Sequence, residues 1–183
     1  MKPIDGHAMI KRVEELYRKG AVDLSYFNIV REAVQMEPAI DRELTKQERI
    51  RKYGEVFTPQ DVVIHMCDML EEESPGAFEP GKTFLEPTCG DGAFVVEILR
   101  RKFNNCRTRS DFTAAINSVY GLEIQADNIA ECIRRVTALC NQYFKPTKAE
   151  LQIINDHFIM CDSLKVMRMM SDEQLKRAQE GIA

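Results

Sequence analysis

Stretches with apolar side chains at helical spacing alternate along the chain with short runs that are apolar throughout. Ile10, Val13, Leu16 and Tyr17 form a helical stripe over 8–19 that Gly20 closes. Leu24, Phe27, Ile29, Val30, Ala33 and Val34 repeat the pattern over 24–36, and the more charged stretch 39–52 also reads as a helix. Packing as a helical cap is the plain reading of this lead-in, with a partner-docking surface as the alternative. In the next segment Val62, Val63, Met66, Cys67, Met69 and Leu70 predict the buried face of a helix. Its start is marked by Thr58 as N-cap, Pro59 at the first helical position and Asp61 at capping-box spacing.

Residues 71–81 carry the Pro and Gly content of a loop. A short buried strand is predicted at 83–85 and is stopped by Pro87, which cannot donate to a ladder. A helix follows from Ala93 to about Phe103, with Phe94, Val95, Ile98 and Leu99 on its apolar side. A short helix over 110–117 leads to a second strand at 118–123. The helix after it is lined by Ile129, Cys132, Ile133, Val136, Leu139, Cys140 and Tyr143 and ends at Pro146. Thr147 to Glu150 has capping-box spacing for a short helix, Asn155-Asp156 reads as a turn, and a third strand is expected at 157–161. The tail 164–183, with Val166, Met167, Met169 and Met170, reads as helical, with Ser171 to Gln174 at capping-box spacing and Gly181 as a closing residue. Strands alternating with helices predict an α/β fold built on a parallel sheet.

The candidate chemistry gathers where the first strand meets the following helix. In Glu86-Pro87-Thr88-Cys89-Gly90-Asp91-Gly92, two glycines let the backbone turn sharply and lie against a ligand. The amino terminus of the next helix adds free N–H groups and partial positive charge. Open α/β sheets bind their ligands at this kind of turn. The dinucleotide fingerprint requires a third glycine where Val95 stands, and no Gly-Lys-Ser/Thr phosphate loop is present. Glu86 at the strand tip repels phosphates and suits an ammonium group. Glu123, at the tip of the second strand, is placed to accept hydrogen bonds from ribose hydroxyls, against the plain reading of a strand-end carboxylate.

Composition narrows the classes. A formal net charge of −4 argues against a simple basic nucleic-acid binder, although Arg100, Arg101, Lys102, Arg107 and Arg109 form one dense basic stretch. That stretch reads as a solvated helix end, with DNA contact as the alternative. Six cysteines without a C-x-x-C pair, and His7, His65 and His157 without metal-ligand spacing, predict no metal site. Free thiols fit a reducing cytoplasm. No apolar run of membrane-spanning length occurs, and the amino terminus lacks the apolar core of a signal peptide.

The glycine turn resembles motif I of the adenine-specific DNA methyltransferases of type I and type IIG restriction-modification systems. Three further segments carry the same resemblance in family order. Gly54-Glu55-Val56-Phe57-Thr58-Pro59 resembles motif X, Tyr120-Gly121-Leu122-Glu123-Ile124 resembles motif II, and Asp162 at the third strand tip matches motif III. Four motifs at family spacing are far more specific than one. The resemblance implies a Rossmann-like class I methyltransferase sheet, here incomplete, behind an N-terminal helical region over 1–52. It implies a methyltransferase domain over 53–183, truncated before the fourth strand, bacterial or phage-encoded, in which motif X precedes the cofactor half.

By the same resemblance the cofactor is S-adenosyl-L-methionine and the substrate adenine in DNA. The implied cofactor residues are Phe57, Thr58, Pro59, Glu86, Pro87, Thr88, Gly90, Gly92, Phe94, Glu123, Ile124, Asp162 and Ser163. Ile124 would flank the adenine ring and Asp162 its exocyclic amine. The family's catalytic Asn/Asp-Pro-Pro-aromatic motif does not match, since no Pro-Pro occurs in the sequence, and no catalytic residue is assigned. Three readings stay open: one piece of a methyltransferase whose other half contacts DNA, a non-catalytic cofactor-binding or interaction module, and a methyltransferase for another substrate. The missing fourth strand would leave the first strand's edge open, which predicts self-association or a protein partner that completes the sheet. The Met-rich tail is the segment that could cover that edge internally.

Overall fold

The structure is a computed structural model, and it describes residues 44–166. The helices expected at 8–19 and 24–36, the start of 39–52, and the tail beyond residue 166 lie outside the described residues. Cα packing divides the chain into two units, one of residues 37–160 and one that combines 1–36 with 161–183.

The first unit is an α/β assembly. In order it contains α1 (Lys46–Tyr53), α2 (Gln60–Glu73), β1 (Phe84–Glu86), α3 (Ala93–Asn105) and α4 (Arg109–Ile116). It continues with β2 (Val119–Glu123), α5 (Ala126–Tyr143), α6 (Lys148–His157) and β3 (Phe158–Met160). The three strands are parallel in the order β1-β2-β3, with Glu86 beside Gly121 and Glu123 beside Met160. The three expected strands therefore form, each within two residues of its expected bounds.

Helices α3 and α5 pack against each other, and α2 packs on α3. Val95, Leu99 and Phe103 of α3 meet Cys132, Val136 and Leu139 of α5 in one core, which also takes in Val119 and Phe158 from the strands. Aromatic rings close its far end. Phe103 and Phe112 lie 4.7 Å apart, and Phe144 meets Phe112 edge-on at 4.6 Å. Alternate strand residues Tyr120, Leu122 and Ile159 are buried as well, so β2 and β3 are buried along their length, as expected for parallel strands.

Capping boxes fix three helix starts: Thr45 with Glu48, Thr108 with Asp111, and Thr147 with Glu150. Only the last was legible beforehand. At α2 the expected Thr58 cap does not form. Pro59 is the N-cap residue, in extended backbone and without a side-chain cap. Asp61 thus adds charge in the first turn rather than a capping bond. The buried face of α2 is also narrower than its apolar pattern. Val63 and Cys67 are buried and Leu70 half-buried, while Val62, Met66 and Met69 are 41%, 50% and 46% exposed. The two sets lie about 100° apart around the helix, and only one can face α3.

Asn155-Asp156 is not a turn. The helix runs through both residues into β3 without a loop. Asn155 donates to the Leu151 carbonyl at 2.7 Å and Gln152 donates to Asp156 at 3.0 Å, so local helical partners satisfy the polar side chains that suggested a turn. His157 closes this helix rather than opening the strand. It stacks on Tyr120 at 4.1 Å, and burial lowers its pKa.

Most of the basic residues in the last turns of α3 and at the start of α4 have internal partners. Arg100 and Arg101 pair with Glu97, Arg101 also with Asp68, and Arg109 with Glu150. Lys102 is fully buried, where its ammonium donates to the carbonyls of Glu79, Pro80 and Lys82 at 2.9, 3.2 and 2.5 Å. Burial pushes its pKa down to about 8. Lys102 thereby gathers the loop that feeds β1, and Phe78 from that loop stacks on Phe84 at 5.5 Å. Arg107 is exposed, as a solvated helix end would be, whereas Arg100, Arg101 and Arg109 form ion pairs and Lys102 is buried on backbone carbonyls.

Candidate functional site

The carboxyl ends of β1 and β2 hold the site. After Glu86 the chain turns at Pro87 and Thr88, and Cys89 donates to the Leu122 carbonyl at 2.8 Å. This bond carries the loop across to β2. Gly90 and Gly92 adopt φ of +52° and +89°, the left-handed backbone that disfavours side chains. Gly92 also has no room. A Cβ there would lie 2.7 Å from the Cys132 Sγ on α5. Helix α3 starts directly from this glycine, so the loop delivers the chain to the helix with its first N–H groups at the strand tips.

Glu123 ties the loop to β2. One carboxylate oxygen accepts from the Gly90 amide at 3.1 Å, and the other accepts from the Gln125 amide at 2.8 Å. Each oxygen keeps a second acceptor position. Glu86 accepts from the Thr88 amide at 3.2 Å and from its hydroxyl at 3.4 Å through one oxygen. Its other oxygen has no protein hydrogen bond among the described residues. The two strand-tip carboxylates therefore flank one glycine loop.

The Gly54–Pro59 segment closes over the same loop. A Cβ built at Gly90 would lie 3.5 Å from the Phe57 ring, so the ring and the glycine face one another across an ordinary contact distance. Phe57 is 41% exposed, Thr58 half-buried and Pro59 exposed. Of the other expected residues, Ile124 is half-buried just past β2, and Phe94 packs against the helix core. Asp162 and Ser163 fall in the second unit. There Asp162 accepts from the amides of Leu164 at 3.1 Å and Lys165 at 3.4 Å. The structure thus brings Phe57, Glu86, Gly90 and Glu123 to one place in the first unit.

Sequence reasoning missed three supports. Gly121 is required because a Cβ there would lie 2.8 Å from Phe158 and 2.9 Å from the Cys89 Sγ. Arg135 braces the loop from α5, with its guanidinium on the Asp91 carbonyl at 3.1 Å and on the carboxylate at 2.7 Å. Arg49 joins α1 to Glu55 and Asp127. Glu55 lies inside the motif X segment and gave the only sequence signal for these contacts.

A parallel α/β domain with a glycine loop and acids at its strand tips defines the class of protein. The model of the N-6 DNA methylase family matches residues 42–155, more than half of the chain, and the chain belongs to that family. Its function is accordingly of the DNA N6-methyltransferase kind. No curated protein and no solved structure matched the chain. No helix among the described residues is long and apolar enough to cross a membrane.

Proposed function

We propose that this chain is the S-adenosylmethionine-binding part of a DNA adenine-N6 methyltransferase with a Rossmann-like sheet. The observation that carries the reading is the Glu123 carboxylate bonded to the Gly90 amide, which fixes an acid from one strand tip against the glycine loop of the next. The residues fit the cofactor. The remaining acceptor positions of Glu123 suit two neighbouring ribose hydroxyls. The open oxygen of Glu86 suits the ammonium of the methionine end. The bare backbone of Gly90 lets a ligand approach beneath Phe57. By family resemblance Ile124 flanks the adenine ring.

Bound S-adenosylmethionine supplies an electrophilic methyl group on a sulfonium. The chain's own residues bind and orient that group, and in-line geometry contributes much of the rate in such transfers. The target adenine must be held by groups outside the motifs present here, since the sequence contains no Pro-Pro-aromatic segment. That absence also favours a second reading, a binding module that becomes active only with a partner.

Among the described residues β1 is an edge strand, which supports a partner that completes the sheet. Phe84 donates to the Ser118 carbonyl just before β2, so the next residue, Leu85, turns its backbone groups to the other side, and its residue surface is 36% exposed. An exposed strand edge invites pairing. Methyl transfer to adenine-containing DNA tests the proposal. The 183-residue chain is expected to bind the cofactor and transfer nothing alone, and to gain activity with a polypeptide that carries the Pro-Pro-aromatic motif. Robust transfer by the purified chain alone would overturn the assignment of binding without catalysis.

A further inference from the structure

The Arg49 guanidinium makes a concentrated set of contacts. Its Nε and Nη2 donate to the two oxygens of Glu55 at 2.7 and 2.5 Å, a fork-to-fork pair. Its Nη1 donates to Asp127 at 2.5 Å. Asn128 donates to the same Glu55 at 2.7 Å. The Arg49 and Glu55 side chains are 14% and 10% exposed, whereas exposed ion pairs are loosely held. Hydrogen bonding lifts the Arg49 pKa and holds that of Asp127 below the usual carboxylate range, so these two groups stay charged around neutral pH.

The contacts matter because of what they anchor. Among the described residues, 55–58 make no backbone–backbone hydrogen bond, while Gly54 donates to Ile50 and Val63 to Pro59 on either side. The loop is therefore tied at its ends by helix turns and, between them, by the hydrogen bonds of the Glu55 side chain. Two residues further on, Phe57 lies over Gly90. Asp127 and Asn128 stand in the first turn of α5, a few residues after Glu123. One guanidinium thus connects the segment above the glycine loop with the helix that follows the ribose-side acid.

We propose that Arg49, assisted by Asn128, is a positioning residue for the cofactor site: it clamps Glu55 so that the Phe57 ring is held over Gly90 before any ligand arrives. This rests on the proposed function, since the ligand beneath the ring is the cofactor. Preorganisation of this kind raises affinity by removing the ordering cost from the binding step. Arg49 touches no ligand atom in this account and acts through Glu55.

The chain has no tryptophan, so Phe57→Trp makes the loop its only indole reporter. Acrylamide quenching of this indole without ligand, and calorimetric titration of the full chain with S-adenosylmethionine, are measured in Arg49→Met, Arg49→Lys and Glu55→Gln backgrounds. Arg49→Met is expected to make the indole more accessible and to weaken cofactor binding by about tenfold, the effect of losing one charge-assisted hydrogen bond. Arg49→Lys, which keeps the charge but not the fork, should recover part of both. Glu55→Gln, which removes no buried cation, gives the same readouts if Arg49→Met fails to fold. Unchanged indole accessibility in folded variants would overturn the clamp. Increased accessibility with unchanged affinity would overturn its role in binding. If the parent chain itself binds no cofactor, the functional reading on which the proposal rests fails, a result distinct from a loss confined to the variants.

Discussion

The two sides of the small sheet are finished to different degrees. On the β2–β3 side, Leu122, Phe158 and Ile159 are 0%, 5% and 5% exposed, and helices α5 and α6 pack beside them. On the β1 side, Leu85 is 36% exposed, and the neighbouring segments present Val56, Val62, Met66 and Met69 to solvent. Large apolar residues occur on both sides, so apolar character alone does not separate them. What differs is whether a second layer meets the apolar face. Single apolar residues scattered on a surface need no explanation, whereas Val62, Met66 and Met69 share one exposed stripe of α2. Methionine side chains adapt readily to apolar contacts. The glycine loop lies between these two regions, braced by Glu123, Arg135 and Cys132 from the closed side and covered by Phe57 from the other.

The comparison is tested most severely on its closed side. Phe112 is fully buried between Phe103 and Phe144, and Phe112→Ala is expected to cost about 3–5 kcal/mol. Urea unfolding measures it, and a loss under about 1 kcal/mol would show that this side is not close-packed. At the junction, Glu123→Ala removes the acceptor for two backbone amides as well as the carboxylate proposed to receive the ribose hydroxyls. A hydrogen bond to a charged group contributes about 1.5–3 kcal/mol, so cofactor affinity should fall roughly ten- to a hundredfold. The Gly90 amide should also exchange faster with solvent, and Glu123→Gln should fall between the variant and the parent in both measurements. Gly92→Ala forces a side chain onto a positive φ and against Cys132, which should cost about 1–3 kcal/mol and loosen the loop.

A smaller effect is expected from pH. Burial lowers the His157 pKa from 6.5, so the unfolded chain takes up this proton more readily than the folded one. Stability should decline as pH falls below about 6.5 and level off below the lowered folded value. His157→Phe should flatten that part of the stability profile measured by thermal unfolding, and an unchanged profile would remove His157 as its source. The smallest change in stability belongs to the open side. Val62→Ser with Met66→Ser should alter it by no more than about 0.5 kcal/mol per site, because neither side chain is buried. Light scattering at several concentrations should nevertheless show less self-association than in the parent. A parent chain that is monodisperse and monomeric throughout would refute the docking role of this face.

Much of the candidate site's local geometry could be read from the sequence because its signals are local. The strand, the Pro87 stop, the two glycines and the helix after them follow one another within about ten residues, and each has a backbone reason. Glu123 was legible because a strand-tip acid has a defined place in such sheets. What the sequence hid was set by long-range contacts. The need for Gly121 comes from Phe158 and Cys89, which lie far along the chain in opposite directions. The clamp joins Arg49 to Asp127 across 78 positions. Asn155-Asp156 misled because a pair that favours turns was satisfied by helical neighbours, and Met66 and Met69 misled because apolar spacing does not say which of two faces finds a partner. Lys102 was read as solvated because three loop carbonyls that receive its ammonium are distant in sequence.

The most direct test of the central claim is calorimetric titration of S-adenosylmethionine into the 183-residue chain and into Glu123→Ala in parallel. The account predicts one saturable site per parent chain and an affinity at least about tenfold weaker in the folded variant. No binding to the parent at millimolar cofactor, or equal affinity for the two proteins, would contradict it.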